Sequence, residues 1–141
     1  MVGYAFICFF ICLVVWSFVR AALRRKWFRH YAQRTGLSYM GDEVPRILPL
    51  WNTPIPWSGY VSNTIWGDKG DKQLVIFDAK ISQGKGGRSQ TILAIRGLVE
   101  HFGVQRFDPS LLEVHVDEWT LIYRPMRLMT VEEIEALLSN I

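Results

Sequence analysis

The sequence predicts an α+β protein: an N-terminal transmembrane helix, then a small antiparallel sheet of about five strands closed by a C-terminal helix. Three observations predict it. Val2–Val19 (VGYAFICFFICLVVWSFV) holds no charge and no proline. From Gly59 onward, strand-like runs alternate with glycine-rich turns. Near the C-terminus, Thr130 and Glu133 have capping-box spacing ahead of an apolar stripe.

The apolar run comes first. As a helix it spans about 27 Å, close to the ~30 Å hydrocarbon core of a bilayer. A soluble core helix of this length would carry a polar stripe, and this run has none. Tyr4 and Trp16 suit the two interfaces, and Arg20 can snorkel. A cleavable signal segment would place its cations ahead of the apolar run. Here Arg20, Arg24, Arg25, Lys26, Arg29 and Arg34 all follow it. An uncleaved anchor is the expectation, in the inner membrane with the N-terminus outside and the rest of the chain cytoplasmic.

Charge is divided along the chain. Residues 20–35 hold six Lys/Arg and no acid, which leaves ten Lys/Arg against thirteen Asp/Glu beyond them. The pI of about 9.0 therefore belongs to the juxtamembrane block, not to the domain. Such a block favours an anionic leaflet, whereas a nucleic-acid module would carry its cations on the folded domain. Cys8 and Cys12 are the only cysteines and lie one helical turn apart on the anchor. The rest of the chain has none to form a disulfide, which accords with a reducing compartment.

The helix is predicted to continue past the span. Leu23, Trp27, Phe28 and Tyr31 recur at spacings of three and four between cations, an amphipathic extension at the membrane interface that ends at Arg34-Thr35-Gly36. Leu37–Met40 reads as a short extended piece. Gly41–Trp57 carries Pro45, Pro49, Pro54 and Pro56 among Ile47, Leu48, Leu50, Trp51, Ile55 and Trp57, so neither a long helix nor a central strand fits. It is expected to be an ordered loop that lies over the domain or along the membrane surface, either covering the core or offering Trp51 and Trp57 to a partner. The resulting partition is 1–35 anchor and basic extension, 36–58 Pro/Trp-rich loop, and 59–141 cytoplasmic domain.

Tyr60–Trp66, Gln73–Ser82 and Ser89–Leu98 read as a three-strand meander, turning at Gly67–Asp71 and at Gly84–Gly87. Leu112–Val116 and Trp119–Arg124 form a second pair joined through Asp117-Glu118. Val99–Phe107 is ambiguous. Glu132, Glu133 and Glu135 favour the N-terminal turns of the last helix, and Ile134, Leu137, Leu138 and Ile141 form its stripe.

Chemistry-bearing patterns are few. Gly84-Lys85-Gly86-Gly87-Arg88-Ser89 lacks the GxxxxGK[ST] spacing and the following helix of a phosphate loop. His30, His101 and His115 show no metal-ligand spacing. Asp78 interrupts an apolar strand with no second acid claiming its site. No catalytic residue, cofactor or metal is expected.

Arg34-Thr35-Gly36-Leu37-Ser38-Tyr39, the Phe77-Asp78 strand end, the glycine-rich hairpin after it, the Trp119–Arg124 strand and the short acidic helix Thr130–Ser139 occur in an order that resembles a family of uncharacterised bacterial single-span proteins with a small cytoplasmic α+β domain. Such proteins often have an aromatic after Phe-Asp; here it is Ala79. The resemblance implies the architecture and no site residues.

The functional expectation is a non-catalytic accessory subunit of a larger membrane complex, with respiratory or photosynthetic assemblies as candidate hosts. The alternative is a free-standing membrane-anchored sensor or a ligand- or lipid-binding domain. Arg20, Arg24, Arg25, Lys26, Trp27 and Arg29 are expected at the membrane interface. Cys8, Cys12, Trp51 and Trp57 are expected to face a protein partner. The partners are a bilayer with an anionic inner leaflet and integral membrane subunits, not nucleic acid. The sequence leaves open whether a small-molecule ligand binds.

Overall fold

A computed structural model describes residues 2–82, 87–98 and 102–141. Helix α1 (Val2–Thr35) is continuous. Every residue from Gly3 to Leu23 is exposed, and the helix is long and apolar enough to cross a membrane. It ends where expected, with Gly36 in the left-handed region (φ 75°) and the Thr35 hydroxyl donating to the Tyr31 carbonyl at 2.7 Å.

Six strands follow: β1 (Ser38–Gly41), β2 (Val61–Lys69), β3 (Lys72–Lys80), β4 (Ser89–Arg96), β5 (Leu112–Val116) and β6 (Trp119–Tyr123). They form one antiparallel sheet ordered β1-β2-β3-β4-β6-β5. The extra strand is the short piece after α1, which pairs along β2 as an edge. The β2–β3 turn is tighter than Gly67–Asp71: Lys69 pairs with Lys72, leaving Gly70-Asp71 as the turn. Gly67 pairs with Leu74 inside the strand, and the position needs glycine because a Cβ there would stand 2.9 Å from Leu37 Cδ2. Most of the Gly84–Gly87 tip, and His101, lie outside the described residues. The flanking strands pair through Lys80 and Ser89. Val116 and Trp119 pair across Asp117-Glu118, with Asp117 at φ 53°.

The central strands are buried on both faces, so the period-two pattern gives way to near-continuous apolar runs. One face carries Ile65, Leu74, Ile76, Leu93, Ile95 and Ile122. Phe28, Tyr31 and Ala32 of α1 cover it, beside Ile134, Leu137 and Leu138 of α2 (Val131–Ser139). The capping box is present, with Glu133 N donating to Thr130 Oγ1 at 3.2 Å and Thr130 N to Glu133 Oε2 at 2.7 Å. The other face carries Val75, Phe77, Ile92, Ala94, Leu121 and Tyr123 under Leu48, Leu50 and Ile55 of the proline-rich loop. That loop is a core cover built around one 3₁₀ turn, Leu50–Asn52.

The extension of α1 therefore differs from the sequence expectation. Most of its stripe packs on the sheet, while Leu23 stays exposed. Phe28 and Tyr31 are 0 % and 6 % exposed, inside the domain core. A nine-residue α2 covers only part of a six-stranded sheet, and the second half of α1 supplies the remaining cover.

Candidate functional site

In β3, Leu74 through Ala79 are all buried, Asp78 among them. A carboxylate in such a strand is stable only if partners meet both oxygens. Four donors do so. Arg24 reaches back from α1 with Nε to Oδ2 at 2.7 Å and Nη2 to Oδ1 at 2.8 Å, a side-on bidentate pair. Asn63 Nδ2 donates to Oδ2 at 3.0 Å, and Thr91 Oγ1 donates to Oδ1 at 2.8 Å.

Local backbone places each donor. The register of β2 slips between Ser62, opposite Asp78, and Ile65, opposite Ile76. This bulge holds Asn63 at φ 55°, a conformation asparagine tolerates better than most residues. It turns the Asn63 amide onto the carboxylate. Thr91 pairs directly with Asp78 across β3 and β4. Its hydroxyl also accepts from Arg24 Nη2 at 2.8 Å and from Met129 N at 2.9 Å. Arg24 Nη1 donates to the Met129 carbonyl at 2.8 Å, and its guanidinium lies 5.2 Å from the Phe28 ring centre, one turn along α1. Five elements of the chain thus meet at one ion pair. With its oxygens occupied and its side chain 4 % exposed, Asp78 is committed to holding α1 against the sheet.

A second junction centres on Arg124, 8 % exposed at the end of β6. Its Nε donates to Ser110 Oγ at 2.9 Å, and its two Nη atoms engage Glu133 and Asp108. Hydrogen bonds from the Ser110 hydroxyl and backbone hold the Asp108 carboxyl below its ordinary range, with Arg124 adding to the effect. Burial works against charged Glu133, but the bonds from Arg124 and Thr130 outweigh it, and its carboxyl also lies low. A third polar group sits on β5. Glu113 accepts from Gly103 N and Val104 N at 2.9 Å each, and His115 Nε2 lies 2.9 Å from Glu113 Oε1. His115 Nδ1 is 3.1 Å from Thr120 Oγ1. Among the described residues no group of three His, Cys, Asp or Glu is placed to hold a metal ion.

The residues singled out in the sequence separate into two sets. Of the six residues expected at the membrane interface, Arg20, Arg25, Lys26 and Arg29 are exposed, and Arg24 and Trp27 are not. Arg24 is drawn into the domain by Asp78, and Trp27 packs against Phe28 and Tyr31. Cys8 and Cys12 are free and exposed on the bare half of α1. Trp51 is 76 % exposed, while Trp57 is partly buried beneath it with ring centres 4.5 Å apart. The junction of Arg24, Asn63, Thr91 and Asp78 is what sequence reasoning missed. One signal was available: Arg24 shares the helix face of Phe28 and Tyr31, and Asp78 is an acid in a buried strand lacking a partner nearby.

No protein-family model matches this chain, and neither a curated protein nor a solved structure matches it.

Proposed function

We propose that the chain is a non-catalytic accessory subunit of a larger membrane complex, with Val2–Val19 crossing the inner membrane once, the N-terminus outside and the α+β domain on the cytoplasmic face. The observation that carries this reading is the construction of α1. Its first half is bare, and its second half is bolted into the domain by Arg24 and Asp78. A flexible tether would suffice to keep a domain near a membrane. A helix locked to the sheet also fixes the rotation of the span relative to the domain. That suits a part that must meet neighbours inside and outside the bilayer in one register. The face bearing Cys8 and Cys12, with Ala5, is the small-residue side available for helix–helix packing. The orientation rests on the cations that follow the span.

Extraction of the tagged full-length chain from native membranes in mild detergent tests the proposal. The expected result is co-purification of at least one integral membrane protein in fixed ratio. A monodisperse monomer with no partner overturns it. A fluorescent reporter at the C-terminus should be active, and an exported phosphatase reporter there inactive.

The alternative of a free-standing ligand-binding domain has one observation in its favour. An open cleft of about 1080 Å³ at the far end of the sheet is lined by Lys72, Arg96, His115, Asp117 and Trp119 among others. Its mixed charge suits a polar ligand better than the apolar or lipid ligand expected for a membrane sensor.

A further inference from the structure

We infer that the end of the sheet nearest the apolar span is a second membrane contact, a rim that docks on anionic phospholipid headgroups from the side of the domain opposite α1. The inference rests on the reading that Val2–Val19 spans the bilayer.

The level of this rim follows from the contacts of α1. Arg24 meets Asp78, while Leu37, just past the helix, packs at Gly67, which pairs with Leu74. The helix therefore runs along the sheet from the Asp78 end of β3 toward the Leu74 end, and the apolar span projects beyond Asp78. From Asp78 to the end of β3 at Lys80 is about 7 Å of strand. From Arg24 back to Val19 is about 7.5 Å of helix. Lys80 and the segments joined to it thus lie within about two helical turns of the place where the apolar run stops.

Those segments carry large exposed apolar groups of the kind found at bilayer interfaces. Tyr60, 63 % exposed, accepts at its carbonyl from Lys80 N at 2.9 Å. Ser58 N donates to the Lys80 carbonyl at 2.7 Å. Trp51 lies on the backbone of Gly59, where a Cβ would stand 3.6 Å from its ring. Met126, about half exposed, sits on the loop after β6. The buried Gln90 fixes both sides of this rim: its amide donates to the Pro56 carbonyl at 2.8 Å, and its oxygen accepts from Met126 N at 3.2 Å. Trp57, beneath Trp51, packs on the sheet face away from α1. The span and the aromatic rim therefore flank the domain on opposite sides, within about two helical turns of one height.

Charge gives the occupant. Residues 42–62, 79–82, 87–91 and 125–129 hold Arg46, Lys80, Arg88 and Arg127 against Asp42 and Glu43, a net positive charge. The opposite end of the sheet holds Asp68, Asp71, Asp117 and Glu118 against Lys69, Lys72 and Arg96. Tyrosine and tryptophan beside a net positive charge match the headgroup layer of an anionic leaflet. A partner protein in place of lipid is the competing occupant, and the test separates the two.

The full-length chain with Cys8→Ala and Cys12→Ala would carry one new cysteine at a time, at Val15, Asn52, Met126 or Glu118. Each variant would be spin-labelled and reconstituted in vesicles of phosphatidylcholine with phosphatidylglycerol. The ratio of oxygen to water-soluble nickel collisions reports depth. The expected order is Val15 highest, Asn52 and Met126 severalfold above Glu118, and Glu118 aqueous. An aqueous Val15 overturns the anchor and this rim together. A lipid-immersed Val15 with Asn52 and Met126 as aqueous as Glu118 overturns the rim alone. Adding Lys80→Gln, Arg88→Gln and Arg127→Gln should lower the ratio at Asn52 and Met126 toward the Glu118 value; no change overturns the headgroup contact. In native membranes a photo-crosslinker at position 51 should yield lipid adducts, and a discrete protein adduct overturns the assignment.

Discussion

The two arginine junctions use the same side chains toward different ends. Arg24 binds one carboxylate, Asp78, that is almost wholly removed from solvent, and the pair joins segments far apart in the chain. Arg124 binds two carboxylates, Asp108 and Glu133, whose side chains remain about a third exposed and lie within sixteen residues of it. A buried ion pair broken on one side leaves a stranded charge. A half-exposed acid that loses its partner turns to water. The first junction is therefore the brittle one, and it stands where the long apolar helix joins the sheet.

The largest expected effect is at Asp78. Asp78→Ala strands Arg24, Asn63 and Thr91 and should cost about 3–5 kcal/mol. The pair Arg24→Met with Asp78→Leu should recover most of that loss, since the charges leave together. Urea unfolding of the full chain in micelles, followed by tryptophan fluorescence, measures both. If the double variant is as unstable as the single one, the ion pair is not what holds α1.

Arg124→Met should cost less, about 1–3 kcal/mol, because its acids can rehydrate. The same junction carries a pH signature. Glu133 and Asp108 titrate below their ordinary range in the folded chain. Their contribution is complete above the ordinary carboxylate range and is lost as pH falls through the depressed values. The urea midpoint should drop on acidification, and Glu133→Gln should flatten that slope. A slope unchanged by Glu133→Gln would break the assignment. The smallest effect is expected at the exposed pairs. Arg34→Gln, opposite Glu135, or Arg96→Gln, opposite Glu118, should move the midpoint by no more than about 0.5 kcal/mol in equivalent stability.

Local grammar made most of the fold legible. The capping box at Thr130, the Asp117-Glu118 turn and the glycine after Thr35 each declare themselves within a few residues, because the groups that satisfy them are neighbours in the chain. Partnerships across long separations were not legible. Arg24 looks like any of six cations in its block, and its partner lies 54 residues away. Ser38–Gly41 is too short to announce itself and becomes a strand only because β2 offers an open edge. The Trp27, Phe28 and Tyr31 stripe was readable as amphipathic, but lipid and a sheet face attract the same stripe. Asp78 decides between them: α1 can satisfy that carboxylate only by lying on the sheet.

The bond from Arg24 Nη1 to the Met129 carbonyl joins residues 105 positions apart. Chains are made from the N-terminus at several residues per second. The ribosome releases Arg24, Asp78 and Thr91 before Met129 has been synthesised. During that interval Arg24 can meet Asp78 and Thr91 but not the Met129 carbonyl. Completing the network around Arg24 and Thr91 must wait for nearly the last segment to emerge. Folding of this domain is thus ordered in time, the ion pair first and its closure last, and a nascent chain cut short before Met129 would lack the cover that Met129, Ile134, Leu137 and Leu138 give the sheet's helix-facing side.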